Sequence, residues 1–383
     1  MSAREREPLS VAFVMPGVGV VPRGAEAFVV EIAGALAARP GFAVTLFCRG
    51  DLGEATPLPH RRLRAVPRDA RWLTRLYGAS RFGKKVLDTF FLDPINVEWA
   101  TASLAAFPAL WRGGYDVVVM EGGLIGAKLA RLLRRLRGAA FVDVAHGVDP
   151  KWEGAFARQR PDRVVTFTEA AREAIAERAP RAEFAVVPHG IDLERFSPTG
   201  PRAEHGLPAP VVMVAGAVDD HKRPRTAVDA LAHLAAAGRP ASLLVLGDGP
   251  GAAALDAHAA EKLPTGRYLR TTATRDDMPA WYRAADLFTL PSVTESFGLG
   301  YLEAMACGLA CVAPDDAVRR EVIGDAGLYC DPAEPAAYAA ALAAALDRDW
   351  GGVPLRRAAR FPFSATADAW AALLRDVRDE VTA

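Results

Sequence analysis

The stretch ADLFTLPSVTESFGLGYLEAMACGLACVAP, Ala285 to Pro314, decides how this chain reads. Its apolar run Asp286–Leu290 predicts a buried strand, the Ser/Thr/Gly-rich segment a loop, Leu299–Cys307 a short apolar helix stopped at Gly308, and Ala310–Ala313 a second strand. Two glutamates stand in it, Glu295 in the loop and Glu303 in the helix. Helical rise would separate them by about 12 Å. A glycosidase pair needs about 5 to 9.5 Å across one bond, so these two suit separate parts of a long ligand. Between them Ser296, Phe297, Gly298 and Leu299 bring backbone N–H groups to a helix start, where unpaired donors and the helix dipole favour an anion. The stretch predicts a phosphate held between two polar anchors.

Glu-x7-Glu (Glu295, Glu303), set within PS-x-x-E-S-F-G-L-x-x-x-E-A-M-A-C-G, resembles the signature of family-4 glycosyltransferases of the GT-B fold. The resemblance implies an α/β protein of two doubly wound Rossmann-like domains facing across a cleft, with a C-terminal helix crossing back to the first. It also implies that Glu303 binds ribose hydroxyls and Glu295 donor-sugar hydroxyls. Transfer would retain anomeric configuration and need no metal.

Length and composition agree with two ordinary domains. The chain has 383 residues, 51% of them hydrophobic, with 46 basic and 46 acidic side chains. Zero net charge lacks the basic footprint of a nucleic-acid binder. Four cysteines make no disulfide framework, and Cys307 and Cys311 have no His/Cys set beside them to complete a zinc site. No apolar run is long enough for a membrane span or a signal peptide, which predicts a cytoplasmic protein.

Working outward, Val11–Met15, a Gly-rich loop, the helical run Ala25–Ala38 and the strand Ala43–Cys48 form one βαβ unit. The loop glycines do not fit GxGxxG. In the resembled family this position borders the donor diphosphate and the acceptor, which nominates Gly17, Gly19, Arg23 and Gly24. Residues 60–85 are basic, with Trp72, Leu76 and Tyr77 interleaved, and fit either a peripheral contact with an anionic membrane or a solvated helical face. The strand Ala139–Ala145 ends in His146, and a residue there reaches the crevice where doubly wound sheets bind ligands. The resemblance lays His146 against the donor sugar.

His189-Gly190-Ile191-Asp192 with Phe196 resembles the family's Asn-Gly-Val-Asp-x-x-x-Phe-x-Pro segment at the domain crossing, His189 standing for Asn. Expected domains are 1–198 for the acceptor, 199–362 for the nucleotide sugar, and 363–383 as a helix packing back on the first. In the second, Gly216 and Gly247 follow the strands Val211–Ala215 and Ala241–Leu246. The family's phosphate-facing Lys corresponds to Lys222; its Arg corresponds to Ala217, with Arg223 a substitute by proximity. The predicted function is sugar transfer from a nucleotide-diphosphate-sugar to a hydroxyl acceptor, with Lys222 and the helix-start amides on the leaving diphosphate and His146 and Glu295 on the sugar. No further cofactor is expected. A phosphorylase or synthase of the same fold, or a non-catalytic nucleotide-sugar-binding subunit, would fit the same residues.

Overall fold

A computed structural model describes residues 7–21, 24–53, 58–78, 80–89, 92–147, 149 and 151–383. The chain divides into two compact units. The first comprises Met1–Phe167, Ala171–Val187 and Ala367–Ala383, and the second Thr168–Ala170 and Pro188–Thr366.

The first unit is built on seven parallel strands: β1 Leu9–Val14, β2 Phe42–Cys48, β3 His60–Arg62, β4 Val117–Met120, β5 Ala140–Val144, β6 Arg163–Thr166 and β7 Phe184–Val186. Their order is β3-β2-β1-β4-β5-β6-β7. Continuous runs such as VVVM in β4 suit strands covered on both faces, and Val11, Phe13, Val117 and Val119 have no exposed surface. Each such side chain contributes about 1.5–3 kcal/mol by leaving water. The helix Phe363–Thr382 supplies its last 16 residues to this unit. Trp370, Leu374 and Val377 are fully buried on one face, with the Trp370 ring 6.1 Å from Phe13 and 6.3 Å from Phe28.

The second unit repeats the plan with six parallel strands: β8 Val211–Ala215, β9 Ser242–Leu246, β10 Tyr268–Thr271, β11 Leu287–Thr289, β12 Cys311–Pro314 and β13 Gly327–Cys330. The order β10-β9-β8-β11-β12-β13 reverses direction between β8 and β11, just as the first sheet does between β1 and β4. A doubly wound sheet binds ligands beyond its strand ends at such a switch point. The stretch Ala285–Pro314 thus resolves into β11, the loop behind it, the helix Leu299–Ala306 and β12.

The division falls at Val187/Pro188, ahead of the boundary expected after Pro198, and at Thr366/Ala367, beyond the one expected after Pro362. The reason lies in hydrogen bonds that tie the two ends of the second unit together. Ile191 N donates to Phe361 O at 2.9 Å, Phe363 N to Ile191 O at 3.0 Å, and Thr366 Oγ1 to Pro188 O at 3.0 Å.

Two strands went unread in the sequence, β3 and β10, both at sheet edges. HRR and YLRT lack the apolar continuity of a central strand. The basic segment continues into the helices Arg71–Gly78 and Arg81–Thr89, where Trp72 is 59% and Leu76 57% exposed. Its Arg68 turns inward and pairs, with Arg49, on the buried Glu98. No helix among the described residues is long and apolar enough to cross a membrane.

Candidate active site

In the second unit the loops after β8 and β11 lie side by side at the switch point. Val293 N donates to His221 O at 2.9 Å, the His221 ring meets Thr294 O at 3.1 Å, and Arg223 Nε donates to Pro291 O at 2.9 Å. Asp219 holds the first loop's turn, accepting from His221 N and Lys222 N at 3.0 and 2.8 Å. This sends Lys222 Nζ to within 2.5 Å of Glu295 Oε1. Arg223 has φ 49, a left-handed conformation that non-glycine residues rarely take, at the N-cap of the helix Pro224–Ala236. Its Nε is committed to the neighbouring loop.

Gly216 has φ 142, and a Cβ on Gly247 would strike the Gly216 carbonyl. These two glycines are explained by backbone meeting backbone. Gly298 caps the helix Leu299–Ala306 at φ 86, where a Cβ would come 2.7 Å from the Tyr301 ring. It makes no side-chain cap hydrogen bond among the described residues, and a helix start of this kind, with the first-turn amides of Leu299 and Gly300, suits an anion. Phe297 is 1% exposed and packs edge-on to His189 and Phe361; what it offers a ligand is backbone. Glu303 Oε2 accepts from the buried Tyr282 hydroxyl at 2.8 Å.

Beneath the second loop lies Arg319, 1% exposed, whose Nη2 donates to Ser292 O at 2.8 Å and to Ser292 Oγ at 2.7 Å while Nη1 pairs with Asp316. Burial opposes its charge, but Tyr301, Asp316 and Glu295 together keep its pKa above the ordinary value. Sequence reasoning placed neither Arg319 nor Tyr282 in the site. Arg319 had a signal, its place in Arg319-Arg320-Glu321 after the last central strand, and Tyr282 had one in its helix with Trp281, a region that the resemblance lays near the base.

In the first unit, Gly17 and Gly19 shape the turn after β1. Gly19 has φ 77 and its backbone lies against Gly50, and a Cβ on Gly17 would run into the Glu26 carboxylate. Gly24 opens the helix Gly24–Ala37 that carries Glu26; Arg23 falls outside the described residues. His146 follows β5 and is half-buried, its Nε2 2.6 Å from Glu121 Oε2 and its ring 5.5 Å from Phe167. Burial lowers the His146 pKa, but the Glu121 hydrogen bond and the charges of Glu121, Glu153 and Glu26 raise it above its usual value. Glu153 accepts from Gly147 N at 2.8 Å, and burial pushes its pKa up to about 7. Asp143, in β5, is 1% exposed, and neither of its oxygens has a hydrogen-bond partner among the described residues. Such a group costs about 1–3 kcal/mol. The sequence reading chose His146 and missed Glu121, Asp143 and Glu153 around it.

Two family profiles divide the chain between them. "Glycosyl transferases group 1" matches residues 209–348 and "Glycosyltransferase Family 4" matches residues 22–195. The chain belongs to the family-4 glycosyltransferases. It is 37% identical over 193 residues to a D-inositol 3-phosphate glycosyltransferase of Xylanimonas cellulosilytica, a match covering 46% of each chain. The chain spans about half the length of the curated relatives it matches. Its fold is that of sucrose-phosphate synthase from Thermosynechococcus elongatus (TM-score 0.76, 20% identity, 97% of this chain and 99% of that one). It is also that of Anabaena HepE, crystallised with UDP and glucose (TM-score 0.70, 17% identity, 96% and 99%).

As a family-4 member the chain keeps the signature glutamates on loop and helix of the second unit, and that unit brings Lys222, Glu295, Gly216 and the Gly298 amides to one end of its sheet. His146 and the Gly17–Gly24 turn come together in the first unit, around Glu26.

Proposed function

We propose that the chain transfers a sugar from a nucleoside-diphosphate sugar to a hydroxyl acceptor with retention of anomeric configuration and without a metal. The observation that carries this is the Lys222–Glu295 pair beside the side-chain-uncapped helix start at Gly298, at the switch point of the second sheet. The donor's diphosphate takes the Lys222 ammonium and the Leu299 and Gly300 amides, its ribose takes Glu303, and its sugar takes Glu295. Cations and N–H donors fixed at the leaving group are what this chemistry requires, since negative charge grows there as the glycosidic bond breaks. The acceptor oxygen bonds the anomeric carbon on the face the phosphate leaves, and its proton passes to the departing phosphate oxygen. Asp219 is spent on turn amides, which supports neutralisation by Lys222 rather than by an acid-bound ion.

UDP bound to HepE favours a UDP-sugar, and a thermal-shift series of UDP-, GDP-, ADP- and dTDP-sugars tests it, because a ligand of the folded state raises the melting temperature. NMR of the product linkage tests retention, and an inverted product sinks it. A non-catalytic nucleotide-sugar-binding role draws on Ala217, where the family usually has Arg, and on the commitment of Arg223 Nε to Pro291 O. Binding without turnover across an acceptor panel would favour it. The exposed Trp72 and Leu76, flanked by exposed Arg71 and Arg75, support docking on an anionic bilayer, checked by co-sedimentation with anionic against neutral vesicles.

A further inference from the structure

The first unit gathers more buried acid than one sugar contact uses. Glu121 follows β4, Asp143 pairs in register with Met120 just before it, Glu153 lies in the helix Trp152–Ala157, and Glu26 lies under the Gly17 turn. Asp149 adds its charge beside Glu153, and His146 is the base among them. Asp143 is 1% and Glu121 3% exposed, whereas His146 and Glu153 are half-buried. The cluster therefore has a dry floor and a rim open to water, at the strand ends where a doubly wound sheet binds ligands. His146 satisfies Glu121 Oε2 and Gly147 N satisfies Glu153 Oε1. Glu121 Oε1 and both Asp143 oxygens have no hydrogen-bond partner among the described residues.

Three acceptor atoms without donors, among carboxyls that repel one another, select for one kind of visitor. Burial, with Glu153 and Glu121 nearby, holds the Asp143 carboxyl well above the usual range. A phosphate would meet like charge here. A hydroxyl offers one donor and leaves the Asp143 carboxyl protonated, whereas an ammonium group offers three donors and the positive charge that lets that carboxyl ionise.

We propose that this cluster is an acceptor subsite for a protonated amine, so that the acceptor is a hydroxyl compound carrying an ammonium group seated on Glu121 and Asp143. The inference rests on the reading of the chain as a transferase whose first unit takes the acceptor. It separates this chain from relatives named for D-inositol 3-phosphate, whose acceptor carries an anion.

Titration calorimetry of the full chain with UDP present tests it, using scyllo-inosamine, scyllo-inositol and inositol 3-phosphate as probes. The amine is expected to bind about tenfold tighter than either other probe, and Asp143→Asn and Glu121→Gln are each expected to cut that preference about fivefold. A UDP-induced rise in melting temperature, retained in both variants, demonstrates that they fold. Equal affinity for amine and neutral ring, no binding of the amine, tighter binding of the phosphate, or an amine preference that survives both substitutions overturns the proposal. A UDP response without amine preference sinks this subsite alone; no response to any nucleotide sugar sinks the transferase reading beneath it.

Discussion

The two units share one strand order and carry opposite chemistry at the same place in it. Beyond β8 and β11 the loops bring an ammonium, a buried guanidinium and open helix amides together around one glutamate. Beyond β4 and β5 the residues bring four carboxyls around one histidine. The fold chooses where a ligand can sit, because strand ends and a switch point leave a crevice whatever the sequence. The side chains choose which charge that crevice accepts. In each unit a buried group lies beneath that crevice, the Arg319 guanidinium in one and the Asp143 carboxyl in the other, each under 2% exposed.

The contrast can be broken first at its cationic pole. Lys222→Ala is expected to lower kcat/KM by about 2–4 kcal/mol, the scale of a lost charge contact in a site. Steady-state kinetics on the donor found by thermal shift checks it, and unchanged kinetics would remove the donor placement. Next comes the support beneath. Arg319→Leu leaves Ser292 O and Oγ and Asp316 without their buried donor, and is expected to cost about 3 kcal/mol in chemical denaturation, as breaking a buried pair does. A loss no larger than at an exposed arginine would show the loop holding itself.

A smaller effect is expected at Tyr282→Phe, which removes the hydroxyl that orients Glu303. About 1 kcal/mol should appear in KM for the donor with kcat little changed, the mark of a group acting in ground and transition state alike. The smallest lies at the acidic pole. The Glu153 pKa is raised from its ordinary 4.5 to about 7, so the stability it contributes is present below 4.5 and lost as pH rises through 7. His146, also raised, has the same sign above its ordinary 6.5. Calorimetric melting should therefore fall as pH climbs from about 5 to about 8, and Glu153→Gln should flatten that slope. Screening at the half-buried rim keeps the effect near or below about 1 kcal/mol.

Much of this could be read from the linear chain, and the losses share a cause. VVVM, VVMVA and SLLVL announce strands because burial on both faces demands unbroken apolar residues. The edges HRR and YLRT do not, since one neighbour and partial solvent leave composition free. Lys222 and Glu295 could be nominated from local strings. Tyr282, 21 residues from Glu303, could not, nor could the Glu98 carboxylate that gathers Arg49 and Arg68 from 49 and 30 residues away.

By itself the sequence determined the class of fold, the order of its central strands and the residues of the Glu295–Glu303 signature, because periodicity and capping act over a few neighbouring residues. Only the tertiary structure decided the company each of them keeps. Lys222 meets Glu295 because β8 and β11 are neighbours in a sheet though 71 residues of chain separate Ala215 from Leu287. His146, Glu121, Asp143, Glu153 and Glu26 converge because β4 and β5 end, and the helices Gly24–Ala37 and Trp152–Ala157 begin, at the same end of another sheet. Coulomb interactions fall off with distance in space and are blind to distance along the chain, so the charge of each crevice appears only once the sheets have formed.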